Sequence, residues 1–541
     1  MFIEHRYSPD ETWHHAGKAF NPSHPHYYVG GSTKVYGAAL LRLRERDFEE
    51  VEHAGGVSPA WPITYADLEP YYNRAEKWYY VHGEAGLDPT EPPRSEPFPY
   101  APLPHEPRIE KLNRDLKALG LNPYPLPMGV RLGTEDGAQG PETVLSLFDG
   151  YPDPTLSKAD SHVCGIIPAL EHDNVTLKTH HRVTRLNTDA TGRRVASVTA
   201  ETAGGDQVSF SADTVVLAAG AINSAALLLR SANEHHPDGL ANSSGLVGCH
   251  YMSHNNQTFV AVGEEPNDAI FQKTLALADF YFESDAWEHP MGLIQMLGKV
   301  DELLMKFESP EPLGGMTHAE MAQHSLDFWL QSEALPDAET RVALNAGGEI
   351  EFHYTANNLD ARDRLTETLR GMLHDLGCRD DMVAISYYLG QQFPFNLAHQ
   401  MGTLRFGTDP AASVLDPLCR AHDLDNLYVT DGGFFVSAGA VNPTLTIIAQ
   451  TLRVADHLTA EVLEAPQGPS CRAGPFRLRS AFAATEFRKA CHAPHHHDDH
   501  PTAGVVGVCV HHRAGDQRAF PPAGGPARRY RRCASRAGTA A

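Results

Sequence analysis

At 541 residues the chain is too long for one compact core, and it reads as two or three folding units. With 42% hydrophobic and 21% charged residues it has a globular composition, and a net charge of −24 argues against nucleic acid as a partner. No apolar run reaches transmembrane length, the start at Met1–Arg6 lacks a signal-peptide pattern, and eight cysteines form no CxxC pair, so we expect a cytoplasmic protein with neither membrane span nor metal site.

In chain order, the first informative segment is Gly30-Gly31-Ser32-Thr33-Lys34-Val35-Tyr36-Gly37. Paired glycines followed by hydroxyls suit close approach to a phosphate, although the same pair also reads as an ordinary turn. Val175–Thr179 and Arg194–Thr199 alternate like strands of a small sheet. Thr214–Ala219 is apolar on both faces, as a buried parallel strand is, and runs through Gly220 into a helix over Ile222–Arg230. Glycine at that junction brings the helix N-terminus against the carboxyl edge of a sheet, where nucleotide cofactors sit; a plain βα unit explains it as well.

Between residues 256 and 395 the pattern changes. Phe259–Val262, Leu275–Phe282, Glu349–Tyr354 and Met382–Tyr388 read as strands of an antiparallel sheet, covered by helices over 317–332 and 360–377. This predicts a second domain inserted between residues 1–255 and 396–465 of the first. The returning chain carries His399-Gln400-Met401-Gly402-Thr403 at the domain junction, where a histidine can face a cleft. Leu427–Thr430 reads as a strand ending at the turn Asp431-Gly432-Gly433, where the Asp either caps the turn or serves a cofactor. Asn442-Pro443-Thr444 then opens a helix reaching Leu463, with Asn442 expected as N-cap and Pro443 at the first helical position. Its N-terminus also offers stabilisation to negative charge. Residues 466–541 carry 12 basic against 4 acidic residues, four of the cysteines and a His495–His500 tract, without any apolar period. They read as a disordered tail, or as translation out of frame.

Five of these motifs stand in one order: Gly30–Thr33, Ala218–Ser224, His399–Thr403, Asp431–Gly432 and Asn442–Thr444. That order resembles the glucose–methanol–choline (GMC) oxidoreductases. Gly245–Gly248 and Trp61–Ile63, leading to Leu68–Tyr72, fit the same pattern, so the resemblance spans about residues 28 to 460. It implies an α/β (α+β) fold with an FAD/NAD(P)-binding-type domain and a substrate domain built on an antiparallel sheet. It implies FAD as cofactor and an alcohol, sugar or polyol as substrate, with oxygen, a quinone or a protein as final electron acceptor. The residue matching His399 accepts the alcohol proton while hydride passes to flavin N5, and the residue matching Asn442 hydrogen-bonds the substrate oxygen. Gly30, Gly31, Ser32 and Thr33 match the loop beside the pyrophosphate and flavin. Val183 matches a backbone contact to adenine, Gly220 lies near the ribose, and Asp431, Gly432, Pro443 and Thr444 fall on the cofactor side.

Two departures accompany the resemblance. Val35 stands where one subgroup has a flavin-linking His, which implies non-covalent FAD, and Tyr36 stands where many members have Asn. Members open with a strand, a Gly-x-Gly-x-x-Gly turn and an acidic ribose ligand ahead of the position of residue 28, and no such unit appears here, so the βαβ unit is incomplete. The expectation is that coding sequence upstream of Met1 supplies it. A non-catalytic, FAD-deficient remnant and a cyanohydrin lyase are the alternative readings.

Overall fold

The computed structural model describes residues 9, 11–22, 25–132, 148–309, 311–385, 398–463 and 505–508. The predicted apolar strand forms over Thr214–Leu217 and pairs parallel with Leu427–Val429, Val215 opposite Leu427. On its other edge it pairs parallel with Val505–Val508, completing a three-stranded sheet. Of residues 466–541 only these four are described, and they form a strand where the sequence reading expected no element; a short apolar run inside a long polar segment leaves no period to detect. The His495–His500 tract lies outside the described residues.

Gly220 ends the strand at φ 84 and ψ 152, backbone angles open to glycine, and turns the chain into the helix Ala221–Arg230. Ala221, Ile222, Ala225, Ala226 and Leu228 of that helix are buried. The last helix, Thr444–His457, packs beside Tyr65–Trp78, where the Tyr72 hydroxyl meets Thr446 Oγ1 at 2.7 Å.

The antiparallel sheet has six strands in the order Val383–Ile385, Asn255–Val262, Ser325–Ser332, Leu293–Met296, Leu275–Leu277 and Tyr124–Pro125. Side chains alternate between its faces. Phe259, Ala261, Ile294, Met296, Phe328 and Leu330 share one core with Leu365, Leu369 and Leu373 of the helix Leu359–Asp375. The opposite face carries Asn256, Thr258, Gln295, Asp327 and Gln331, polar yet buried.

Four expectations need correction. Residues 317–332 are not one helix: a capping box of Thr317 and Glu320 starts a short helix, His318–His324, and alternation then takes over as the central strand Ser325–Ser332. Val175–Thr179 is not a strand; Val175 and Leu177 stay exposed, and the strand forms downstream at His181–Thr188, paired with Val195–Thr202. Ile350–His353 is a strand, but it joins Trp13–His15 in a separate four-stranded sheet, where Trp13 packs on Phe352. Tyr124–Pro125, from the first domain by sequence, closes the edge of the antiparallel sheet, so the boundary near residue 255 is not a clean cut. Of Met382–Tyr388, Met382 ends a short 3-10 turn, Val383–Ile385 is a strand, and residues 386–388 lie outside the described residues.

Candidate active site

A cavity of about 790 Å³ lies where the carboxyl ends of the parallel strands meet the polar face of the antiparallel sheet. Gly31, Ser32, Thr33, Gly220, Asp431, Gly432, His399, Asn442, Pro443 and Thr444 all line it. Gly30 stands one residue back, at φ 95, where it shapes the loop. Thr33 spends its hydroxyl on that loop, donating to the Gly30 carbonyl at 2.5 Å. Val183 is not brought to the cavity; it sits in the strand His181–Thr188 opposite Ala200.

His399 is held by its neighbours rather than by regular structure. Met252 and Met401 exchange backbone hydrogen bonds of 2.9 and 3.0 Å, which aligns residues 252–254 with 399–401. Gly402, at φ 92, lets this pair close: a Cβ there would collide with the His250 carbonyl. His399 itself has φ 56, an uncommon left-handed conformation for a residue with a Cβ, and such conformations collect at functional sites. Its ring is thereby directed between His254 and Asn442: Nδ1 lies 2.8 Å from His254 Nδ1, and Nε2 lies 3.5 Å from Asn442 Nδ2.

Asn442 does not cap the last helix as expected. Ile447 N–H bonds to the Pro443 carbonyl at 3.1 Å, so Pro443 occupies the cap position and the Asn442 side chain is left for other partners. Its Oδ1 accepts from Gln295 Nε2 at 3.0 Å. Asp431 serves the fold: Oδ1 accepts from Gly433 N–H at 2.9 Å, and Oδ2 accepts from Gly220 N–H at 3.0 Å and from the Ser224 hydroxyl. It thus ties the end of the strand Leu427–Val429 to the end of Thr214–Leu217. Burial raises its pKa, against the pull of these donors.

Burial holds His399 well below the ordinary histidine value of 6.5, with His254 and Lys273 acting in the same direction. Burial likewise pushes His254 down to about 4, against the opposing charge of Glu333 and the Gly439 carbonyl. Both rings are therefore neutral at neutral pH, and a neutral imidazole can accept a proton. Lys273 also lines the cavity, its ammonium paired with Asp149, whose other oxygen accepts from Gly298 N–H at 2.6 Å.

Sequence reading missed His254, Gln295, Gln331, Lys273 and Asp149. One signal was available for the first three: Asn255–Thr258 is a run of four polar residues inside a strand buried along its whole length, a pattern that needs polar partners nearby. Lys273 and Asp149 carry no such mark.

The cavity fits the flavin cofactor that the sequence resemblance implies. Two helix N-termini, at Ala221 and Thr444, line it and offer unbonded backbone N–H groups to an anion. At Gly31 an added Cβ would have only the His26 carbonyl within 4 Å, at 3.9 Å, so the loop leaves open space on that side. Val35, Tyr79, Ile166, Leu297 and Ile447 add apolar wall for a planar ring.

Comparison with known proteins agrees with the geometry. Residues 27–256 match the N-terminal model and residues 332–451 the C-terminal model of the GMC oxidoreductases. Paromamine 6'-oxidase from Streptomyces fradiae is 30% identical over 459 residues, covering 80% of this chain and 79% of that protein. 2-Methyl-1,2-propanediol dehydrogenase from Mycolicibacterium austroafricanum is 27% identical over 468 residues, covering 80% of each. Among solved structures, pyridoxine 4-oxidase from Mesorbium loti shares the fold with a TM-score of 0.57 at 18% identity, covering 84% of this chain and 89% of that one.

Proposed function

The chain belongs to the GMC oxidoreductases, and from that premise we propose that it uses FAD to oxidise a CH–OH group of a small alcohol, sugar or polyol to a carbonyl. The observation that carries this reading is the neutral His399 Nε2 set 3.5 Å from Asn442 Nδ2 at the wall of a cavity fit for the cofactor. Relatives named for a propanediol and for fructose agree with a polyhydroxylated substrate. So does a cavity with Gln295, Tyr151 and Trp329 in its lining, since amides and aromatic rings suit hydroxyl groups and sugar faces.

Bound FAD supplies the acceptor for the two electrons that leave the carbinol carbon as hydride. The protein's part is the proton and the oxygen. His399 Nε2 takes the hydroxyl proton as the C–H bond breaks and the C=O bond forms, which spares the reaction from expelling hydride from a neutral alcohol. Asn442 Nδ2 donates to the same oxygen and stabilises the charge that grows there. Ser32, Gly432 and Thr444 would hold the cofactor with backbone N–H groups, and Gly31, Gly220 and Pro443, whose N–H groups are spent or absent, by close contact. Val35 has no nucleophile, in keeping with non-covalent FAD.

The test is anaerobic stopped-flow reduction of the flavin-loaded protein. His399→Ala should slow reduction by roughly 100- to 10,000-fold, the range of general-base assistance, while substrate affinity changes little. Reduction at the parent rate would remove His399 from the chemistry.

A further inference from the structure

The side chains behind the proposed catalytic pair form two chains of hydrogen bonds that end on adjacent backbone carbonyls. A carbonyl oxygen can only accept, so each chain has one sense of direction. The first starts at Gly439, whose oxygen lies 3.0 Å from His254 Nε2, and that nitrogen must carry a proton. His254 is buried and neutral, so its Nδ1 is a bare lone pair. His399 Nδ1, 2.8 Å away, must then be the donor, and His399 Nε2 is left without a proton toward Asn442.

The second chain starts at Ala440, whose oxygen accepts from Gln331 Nε2 at 3.0 Å. This turns Gln331 Oε1 toward Gln295 Nε2, 3.4 Å away. Gln295 Nε2 also donates to Asn442 Oδ1 at 3.0 Å. A reversed Gln295 amide would set oxygen against oxygen at both contacts. The acceptor end of Asn442 is thereby spent, and its N–H2 end faces His399 and the cavity.

The anchor is itself fixed. Glu333 Oε1 accepts from the N–H groups of Ala438 and Gly439 at 3.0 Å each, and Ala440 N–H donates to the Tyr281 hydroxyl at 2.9 Å. Burial alone would raise the Glu333 pKa, but its bond to His53 and the donors around it hold it below the ordinary value, so it stays an anion.

We propose that the consecutive carbonyls of Gly439 and Ala440 set the hydrogen-bonding polarity of both reacting side chains, with His254, and Gln295 with Gln331, as positioning residues. The functional weight of this proposal rests on the reading of His399 and Asn442 as the catalytic pair; the tautomer it assigns does not. A histidine with its proton on the wrong nitrogen cannot take one from the substrate, a defect that slows reactions by as much as about 10,000-fold.

The test is 15N NMR of the full chain labelled at histidine, with the His399 signals identified by their loss in His399→Ala. At neutral pH the expected state is His399 protonated at Nδ1 and bare at Nε2. His254→Phe removes the acceptor and should let the Nε2–H form appear. His254→Asn places an amide oxygen near the lost Nδ1 and should keep the native form. In flavin-loaded protein His254→Phe should slow anaerobic reduction at least about tenfold with substrate affinity unchanged, whereas His254→Asn should lose only about threefold. The proposal is overturned if His399 carries its proton on Nε2 in the parent protein, or if both His254 variants behave alike. Should His254→Phe fail to fold, the parent spectrum and that of His254→Asn still decide the matter. Parent-rate reduction by His399→Ala would instead defeat the catalytic reading and leave the tautomer result standing.

Discussion

The cavity has two walls built on different principles. The wall at the ends of the parallel strands is made of main chain: Gly31, Gly220 and Gly432, and the N-termini of two helices. The wall on the antiparallel sheet is made of side chains, with Gln295 and Trp329 projecting from a face whose reverse is an apolar core. A main-chain wall is damaged by adding an atom. A side-chain wall is damaged by taking one away. The cofactor side needs close backbone approach whatever the substrate is, while the sheet side is free to vary its side chains, so the contrast separates general from specific parts of the site.

The sharpest way to break this contrast is to add one methyl group just behind the main-chain wall, at Gly402, whose N–H donates to the Gly432 carbonyl at 3.1 Å. Gly402→Ala places a Cβ against the His250 carbonyl at φ 92, where both sterics and backbone oppose it. A loss of roughly 3 kcal/mol or more is expected in urea unfolding, since strain of this kind costs up to about that much before the collision is counted. A neutral result would mean that the segments 250–254 and 399–403 are not packed as described.

Removing one side chain should act differently. Asn442→Ala should raise the barrier to flavin reduction by about 1–3 kcal/mol, the loss expected for an unpaired buried partner. Because Pro443 rather than Asn442 caps the helix, the stability loss should be that of the broken Gln295–Asn442 hydrogen bond and should shrink when the substitution is made in a Gln295→Leu background. A loss of about 1 kcal/mol that persists in that background would restore the capping role.

The smallest effect concerns pH. Burial, His254 and Lys273 lower the His399 pKa, so its proton-accepting form persists below 6.5 and is lost only as pH falls through the depressed value. The flavin reduction rate should therefore stay nearly flat as pH falls through 6.5, with its acid limb displaced below that value. An acid limb at or above 6.5 would show that His399 is not held in its neutral form.

The two walls were also unequally readable in the sequence. Main-chain features leave marks, because glycine, proline and strand-to-helix turns are required at fixed places: Gly220, Asp431–Gly432 and Asn442–Thr444 were found that way, and all line the cavity. Even so, the role of Asn442 was misread as a cap, since the residue types alone do not say which carbonyl starts the helix. Side chains on a buried sheet leave little trace. Gln295 sits alone in the apolar run Leu293–Met296, and nothing local says that it reaches Asn442, far along the chain. His254 was missed because its partner His399 is distant along the chain and is brought to it only by the Met252–Met401 backbone pair. Strand pairing failed for a related reason: Ile350–His353 has the right local pattern, but its partner Trp13–His15 is set by packing.

The central claim is that this chain binds FAD in the described cavity and passes electrons to it from an alcohol. The most direct measurement is the visible absorbance of the purified full chain after loading with FAD, recorded before and after anaerobic addition of a panel of sugars and polyols. The account predicts oxidised-flavin bands that stay with the protein through gel filtration and bleach with at least one polyol. A protein that retains no flavin, or whose bands no alcohol bleaches, would contradict it.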